Sequence, residues 1–302
     1  MDYLAYDNEI IWYRIWQADA PRAVIEIMTG LAETSEYYED FARTMTDAGY
    51  TVALMEFRKH GHTKANYGEG NLFRNFARDG AQLLTILRGE YPGLPVILFA
   101  HSLGTTVSQI AIYEKMGKWD GVIYTGPSHA VIDPTRRDML LEQAEASILK
   151  YGEDEINPMI YPEVFGRLNL PFHEENSSLS FITSDKEKRD WILGLPYTNP
   201  PYSNRFFRDF IILQADLAVN ETLEKTVPPL TDTPILFLTG SEDVTASNGT
   251  YGDVQAQLLR EVGCKDVTSI VYPGMRHSIL QEPGWPQVCS DVISWLDKRY
   301  PL

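Results

Sequence analysis

A chain of 302 residues that is 44% hydrophobic and 12% aromatic can bury a large core, which excludes a disordered polypeptide. Its 26 basic residues stand against 42 acidic ones, and the net charge of −16 makes a surface that repels phosphate backbones and anionic bilayers. No Lys/Arg-rich cluster reverses that sign locally, so no nucleic-acid partner is expected.

The start, "MDYLAYD", has neither a basic opening nor an apolar signal core. No stretch approaches the roughly 20 apolar residues of a membrane span, so no integral membrane segment is expected. Cys264 and Cys289 lie in neither a CxxC nor a zinc spacing and read as reduced thiols, which suits a cytoplasmic protein.

Residues 9–17 ("EIIWYRIWQ") read as a strand of an N-terminal hairpin and 23–28 ("AVIEIM") as the next strand. A helix is expected over about 36–48, stopped by Gly49. A strand at 51–55 and a helix at about 75–90 follow. Pro95 to Phe99 is nearly all apolar, as in a strand buried on both faces. From Thr105 to Met116, Val107, Ile110, Ala111 and Met116 recur at helical spacing. "GVIYTG" at 121–126 is another buried strand. The rhythm then breaks: 128–213 is rich in Pro, Asn, Ser and charge, with helical pieces in "RRDMLLEQAEASILKYG" and "KEKRDWILGL". Strands at 234–240 and 267–274 alternate with helices at about 251–263 and 285–299. The alternation predicts an α/β fold, a mostly parallel sheet with helices on both faces. Residues 1–127 and 214–302 form the expected core, and 128–213 is read as an inserted helical cap, or lid, over an active site.

"LFAHSLGTT" at 98–106 puts Ser102 where an apolar strand turns into a helix, with small Ala100 and Gly104 two residues to either side. A serine there can simply cap the helix. The same arrangement is also a nucleophile elbow, in which a tight turn lifts the hydroxyl above the sheet and small flanking residues avoid collision. A serine nucleophile needs a base, and the base an orienting carboxylate, in the chain order Ser, Asp or Glu, His. "FLTGSEDVT" ends a strand in a turn with Asp243, and "VYPGMRHSI" ends the last strand in a loop with His277. Glu242 and Asp253 compete with Asp243. The first is one side-chain direction off and the second falls inside the next helix. Backbone N–H groups of Leu103 and of Leu31, beyond the turn at Gly30, are the expected oxyanion donors.

Taken in order, "TGLAETSEYYEDFA", "EFRKHGHT", "AHSLG", "GSEDV" and "YPGMRHSILQEP" resemble the α/β-hydrolases of the monoacylglycerol lipase and lysophospholipase group. "FGRLN" and "RDWI" resemble its bacterial branch, and the matches run from about residue 20 to 298. The resemblance implies an α/β-hydrolase fold and a serine hydrolase cleaving esters of single-chain lipids, such as monoacylglycerols or lysophospholipids, or similar small esters. Acyl-thioesters and a catalytically silent binding module are the alternatives. No cofactor or metal is called for. The chain departs from the group's pattern at Thr29-Gly30, where His-Gly is usual, and at Glu56 to Gly61, where D-x-R-G-H-G is usual. Ala100 replaces the first elbow glycine, and Ser278 stands where glutamate often follows the histidine.

His60-Gly61-His62 has an HxH spacing without nearby cysteines and is read as a turn rather than a metal site. His101 is read as packing beside the nucleophile. Trp191, Tyr197, Tyr202, Phe206 and Phe207 either line an acyl pocket or form the insertion's own core.

Overall fold

The structure is a computed structural model that describes residues 1–127, 134–156, 162, 166–197, 201–217 and 230–301. Its centre is an eight-stranded sheet in the order β1-β2-β4-β3-β5-β6-β7-β8. The strands are β1 Asp2–Leu4, β2 Ile10–Trp16, β3 Ala23–Met28, β4 Tyr50–Met55, β5 Val96–His101, β6 Gly121–Thr125, β7 Ile235–Gly240 and β8 Val267–Tyr272. β2 pairs antiparallel with β1 and with β4, and from β4 through β3 to β8 every pairing is parallel. The hairpin partner of the 9–17 segment is therefore β1, three residues too short to show an alternation, and not the 23–28 strand.

Period-two alternation divides each central strand between two cores. On β5, Ile97 and Phe99 face one side and Val96, Leu98 and Ala100 the other. The first side is covered by α1 Glu39–Asp47 and α8 Trp285–Asp297, whose Phe41, Met45, Val292 and Leu296 pack there. The second is covered by α2 Leu72–Glu90, α3 Leu103–Tyr113 and α7 Thr250–Glu261, through residues such as Leu87, Val107 and Leu259. With both faces covered, all six residues of β5 are buried, which is why the segment reads as an apolar run.

Between β6 and β7 stand α4 Pro134–Tyr151, α5 Lys186–Gly194 and α6 Asn204–Leu217. α6 packs on α4 and α2. Its Phe206 lies 5.5 Å from the ring of Phe73 in α2, and Tyr202 stacks on Phe206 at 4.4 Å. Tyr202, Phe206 and Phe207 are thus core residues. Trp191 and Tyr197 instead lie against Tyr37 and His62.

The turn after β4 is held by buried charge. Arg58 is fully buried and donates to Asp79 of α2 at 2.7 and 2.8 Å and to Asp7 at 2.5 and 3.0 Å. Buried Glu56 accepts from the N–H groups of Ser35 and His62. A Cβ at Gly61 would lie 2.1 Å from the Glu56 carboxylate, and φ there is +49°, so this position requires glycine.

Candidate active site

β5 hands the chain to α3 through Ser102, whose φ of 49° and ψ of −116° lie outside the conformations a non-glycine residue favours. Such a residue costs of order 1–3 kcal/mol and persists where its surroundings hold it. Here they do. The Ser102 N–H donates to the Thr125 carbonyl of β6, and its own carbonyl accepts from Thr105. A Cβ on Gly104 would sit 2.1 Å from the Met28 carbonyl oxygen of β3, so the turn fits only with glycine there. Ala100 lies opposite Met28 in the register with its methyl fully buried, and the sheet accommodates it.

Two other strand ends bring side chains to this hydroxyl. A Cβ on Gly240, the last residue of β7, would lie 2.2 Å from the Met275 carbonyl and 2.4 Å from that of Arg276. The missing side chain lets the loop after β8 approach the turn after β7. Asp243 in that turn is fully buried and His277 in that loop nearly so. Nε2 of His277 is 2.8 Å from Ser102 Oγ, and Nδ1 is 3.0 and 3.1 Å from the two Asp243 oxygens. The Nδ1–H tautomer gives its proton to the carboxylate and leaves Nε2 to accept from the serine. Glu242 points away with its side chain half exposed, and Asp253 lies in α7. Gly126, at φ +50°, ends β6 beside the imidazole, where a Cβ would lie 3.1 Å from Cε1 of His277.

Burial pushes both partners toward neutrality, and each opposes this in the other. His277 is pushed down by desolvation but ends above the ordinary histidine value, because the Asp243 charge and hydrogen bond favour the imidazolium. Asp243 is pushed up by desolvation but ends below the ordinary carboxylate value, through His277 and Thr245. Sequence reasoning missed Thr245. Its hydroxyl donates to Asp243 Oδ1 at 2.8 Å, its N–H to the same oxygen at 2.9 Å, and Oγ1 is 2.9 Å from His277 Nδ1.

Across the serine lies the loop after β3. The Gly30 N–H donates to Glu33 Oε2 at 2.7 Å, and the Tyr38 hydroxyl donates to the same oxygen at 2.5 Å. Thr29 is buried with Oγ1 unpartnered, so the carboxylate of Glu33, and not the side chain at 29, pins this loop. Among the described residues the N–H groups of Leu31 and Leu103 have no acceptor. His101 fills the space behind. Its ring is 4.9 Å from that of His277, its Nδ1 meets Thr125 and its Nε2 is 3.1 Å from Ser278 Oγ. Burial holds His101 below the ordinary histidine value, so it packs as a neutral ring beside His277. A cavity of about 10 Å³, room for a single water, lies between Glu33, Tyr38, His101 and Ser278.

His60 and His62 do not converge. Buried His60 pairs with the Arg58 carbonyl, while His62 pairs with Glu56 and stacks on Trp12 at 4.4 Å. Cys264 and Cys289 are buried and unpaired.

A hydroxyl, an imidazole and a buried carboxylate in line, beside free backbone donors, can deprotonate a nucleophile and hold an oxyanion. The sequence model of the serine aminopeptidase S33 family, Hydrolase_4, matches residues 19–284. Monoacylglycerol lipase of Mycolicibacterium smegmatis is 24% identical over 293 residues, 95% of this chain and 92% of its own. Human monoglyceride lipase is 25% identical over 300 residues, 97% of this chain and 88% of its own. A thermostable carboxyl esterase from Bacillus coagulans superimposes with a TM-score of 0.88 at 22% identity, over 99% of this chain and 97% of the other. A soluble variant of Saccharomyces cerevisiae monoglyceride lipase gives 0.73 at 18% identity, over 100% and 96%. These structures share the α/β-hydrolase fold, and the chain belongs to the serine aminopeptidase S33 family of that fold.

Proposed function

We propose that this member of the S33 family is a serine hydrolase that cleaves carboxylic esters of single acyl chains through an acyl-enzyme. The observation that carries the reading is the line from Ser102 Oγ to His277 Nε2, 2.8 Å, and from His277 Nδ1 to Asp243, 3.0 Å. Ser102 attacks the ester carbonyl carbon as its proton passes to Nε2. Asp243 holds the tautomer and stabilises the imidazolium. The carbonyl oxygen becomes an oxyanion between the N–H groups of Leu31 and Leu103. The intermediate collapses, the carbon–oxygen bond to the alcohol breaks, and Nε2 returns the proton to the leaving alkoxide. Water then repeats the cycle on the acyl-serine and releases the free acid.

Residues 128–213 act as the cap in this reading, of which 128–133, 157–161, 163–165 and 198–200 lie outside the described residues, and the described 172–189 stretch is bonded to the His277 loop. The substrate class rests on relatives named as monoacylglycerol and monoglyceride lipases that match nearly the whole chain. Among the described residues no helix is long and apolar enough to cross a membrane.

The test is a fluorophosphonate probe with a panel of p-nitrophenyl esters, monoacylglycerols, lysophospholipids and acyl-thioesters. One label is expected, lost in Ser102→Ala, with hydrolysis fastest on single-chain oxygen esters. Unchanged ester hydrolysis in Ser102→Ala would sink the mechanism.

A further inference from the structure

The loop that carries the base is held from outside the sheet. Arg276, the residue before His277, is 7% exposed and grips Glu175 through both terminal guanidinium nitrogens, Nη2 to Oε1 at 2.5 Å and Nη1 to Oε2 at 2.9 Å. Nη1 also donates to the Ser180 carbonyl at 2.7 Å, and the guanidinium lies over the Phe172 ring at 3.9 Å. Arg189 of α5 reaches the same carboxylate at 2.8 Å and donates to the Thr183 carbonyl at 2.7 Å. One carboxylate therefore draws together two buried arginines, one on the catalytic loop and one on the insertion.

The backbone between them completes the clamp. The N–H of His277 donates to the Phe181 carbonyl at 3.3 Å, and that of Ser278 to the Ile182 carbonyl at 2.8 Å. Buried Glu282 accepts from the N–H of Arg276 and from the N–H and hydroxyl of Ser184. The Phe181 ring lies 5.9 Å from the imidazole. The base thus takes its backbone hydrogen bond from the insertion and not from β8.

We propose that Arg276 is a positioning residue. Through Glu175 it seats the 172–189 segment on the 276–282 loop and so sets Nε2 of His277 at Ser102. The inference rests on the reading of Ser102 and His277 as nucleophile and base. A bidentate arginine–carboxylate pair fixes direction as well as distance, which a lysine cannot. An error of about 1 Å at a reacting group costs on the order of 100-fold in rate.

Arg276→Met, Arg276→Lys and Glu175→Gln test this on the full chain, with kcat and KM for a short p-nitrophenyl ester, the fluorophosphonate labelling rate and thermal melting. Arg276→Met is expected to lower kcat about 10- to 100-fold, with labelling falling in parallel and KM within about twofold. Arg276→Lys should fall between it and wild type, because charge survives without the fork. Glu175→Gln should change kcat in the same direction but less, since Arg276 keeps its carbonyl partners. It also serves should Arg276→Met fail to fold. Wild-type kcat and labelling in folded Arg276→Lys and Glu175→Gln would overturn the proposal, whatever their melting temperatures. Ser102→Ala separates the two readings: if it loses labelling while the arginine variants react as wild type, only the positioning role fails. If it still hydrolyses esters, both fall.

Discussion

The hydroxyl of Thr245 lies 2.9 Å from Nδ1 of His277, on the same side of the ring as Asp243. It donates to Asp243 Oδ1 at 2.8 Å, so the oxygen that faces the imidazole offers lone pairs to Nδ1–H. Hydrogen bonds to a charged group are worth about 1.5–3 kcal/mol. Thr245→Val, which keeps the shape and removes the hydroxyl, should therefore cost about tenfold or more in kcat/KM, and Thr245→Ser should recover most of it. Losing the lone pairs at Nδ1 and losing the donor to Asp243 act on the imidazolium in opposite senses, so the pH profile of the valine variant should move less than its rate. Wild-type rates and an unmoved pH profile in Thr245→Val would make the hydroxyl a bystander.

The pH dependence follows from the same pair. Desolvation pushes His277 down, Asp243 pushes it up, and the net position is above the usual 6.5. Only the neutral imidazole accepts the serine proton, so kcat/KM should rise with pH through a midpoint above that value. Stability follows the two partners separately. The part carried by His277, whose folded value is raised, is fully present below its unfolded-state value and is lost as pH rises through the folded one; the part carried by Asp243, whose folded value is lowered, is lost as pH falls through its own. Asp243→Asn removes the opposing charge, so the kcat/KM midpoint should drop below the usual value. The rate should fall on the order of 10⁴-fold with the disturbed tautomer. A midpoint that stays put in Asp243→Asn would show that the carboxylate does not control the base.

Glu26 gives a stability prediction away from the site. It stands fully buried on β3, where Oε2 accepts from Trp119 Nε1 at 2.8 Å and Oε1 has no partner. Burial raises its pKa to about 8 against the lowering effects of Trp119 and Arg88, so it is folded in as the neutral acid. The unfolded carboxyl releases its proton near the usual value of 4.5. Between these limits the native chain binds the extra proton, and stability falls as pH rises, by at most about 1.4 kcal/mol per unit. Glu26→Gln removes that slope. In melting curves from pH 5 to 8 the variant should gain steadily on the wild type, and a difference constant with pH would refute the buried neutral acid.

The three side chains that meet at the candidate site were legible because each has a local signature: a serine between small residues at a strand end, and an acid and a histidine in the turns after the last two parallel strands. What fixes their geometry was not. Arg276 meets Glu175 across 101 residues, and Ser184 meets Glu282 across 98, distances at which no periodicity or motif carries information. Glu33 carries no local signature in the sequence, yet it pins the Gly30 turn. The aromatic run from Trp191 to Phe207 stayed open because an acyl pocket and a helix core need the same residue types. Packing of Tyr202, Phe206 and Phe207 with α2 decides for core there. Helix starts slipped for local reasons: α2 begins at Leu72 because the Asn71 side chain caps Phe73 and Arg74, and α3 begins directly at the strained serine.

Substrate form is the last consequence. The 172–189 segment is bonded to the backbone of His277 and Ser278, and in the proposed reading it covers the base. Covering strengthens the contacts to an oxyanion by excluding water and suits one acyl chain better than three. The net charge of −16 adds no attraction to an anionic surface. Monoacylglycerols and short p-nitrophenyl esters should therefore be cleaved faster than the matching emulsified triacylglycerol, with no jump in rate as the substrate passes from monomers to an interface. Phosphatidylserine in carrier vesicles should not raise the rate above that on neutral vesicles. A chelator such as EDTA should change nothing, because the proposed mechanism runs on Ser102, Asp243 and His277 without a metal. Faster hydrolysis of emulsified long-chain triacylglycerol than of its monoacylglycerol would show that the covered site opens to an interface after all.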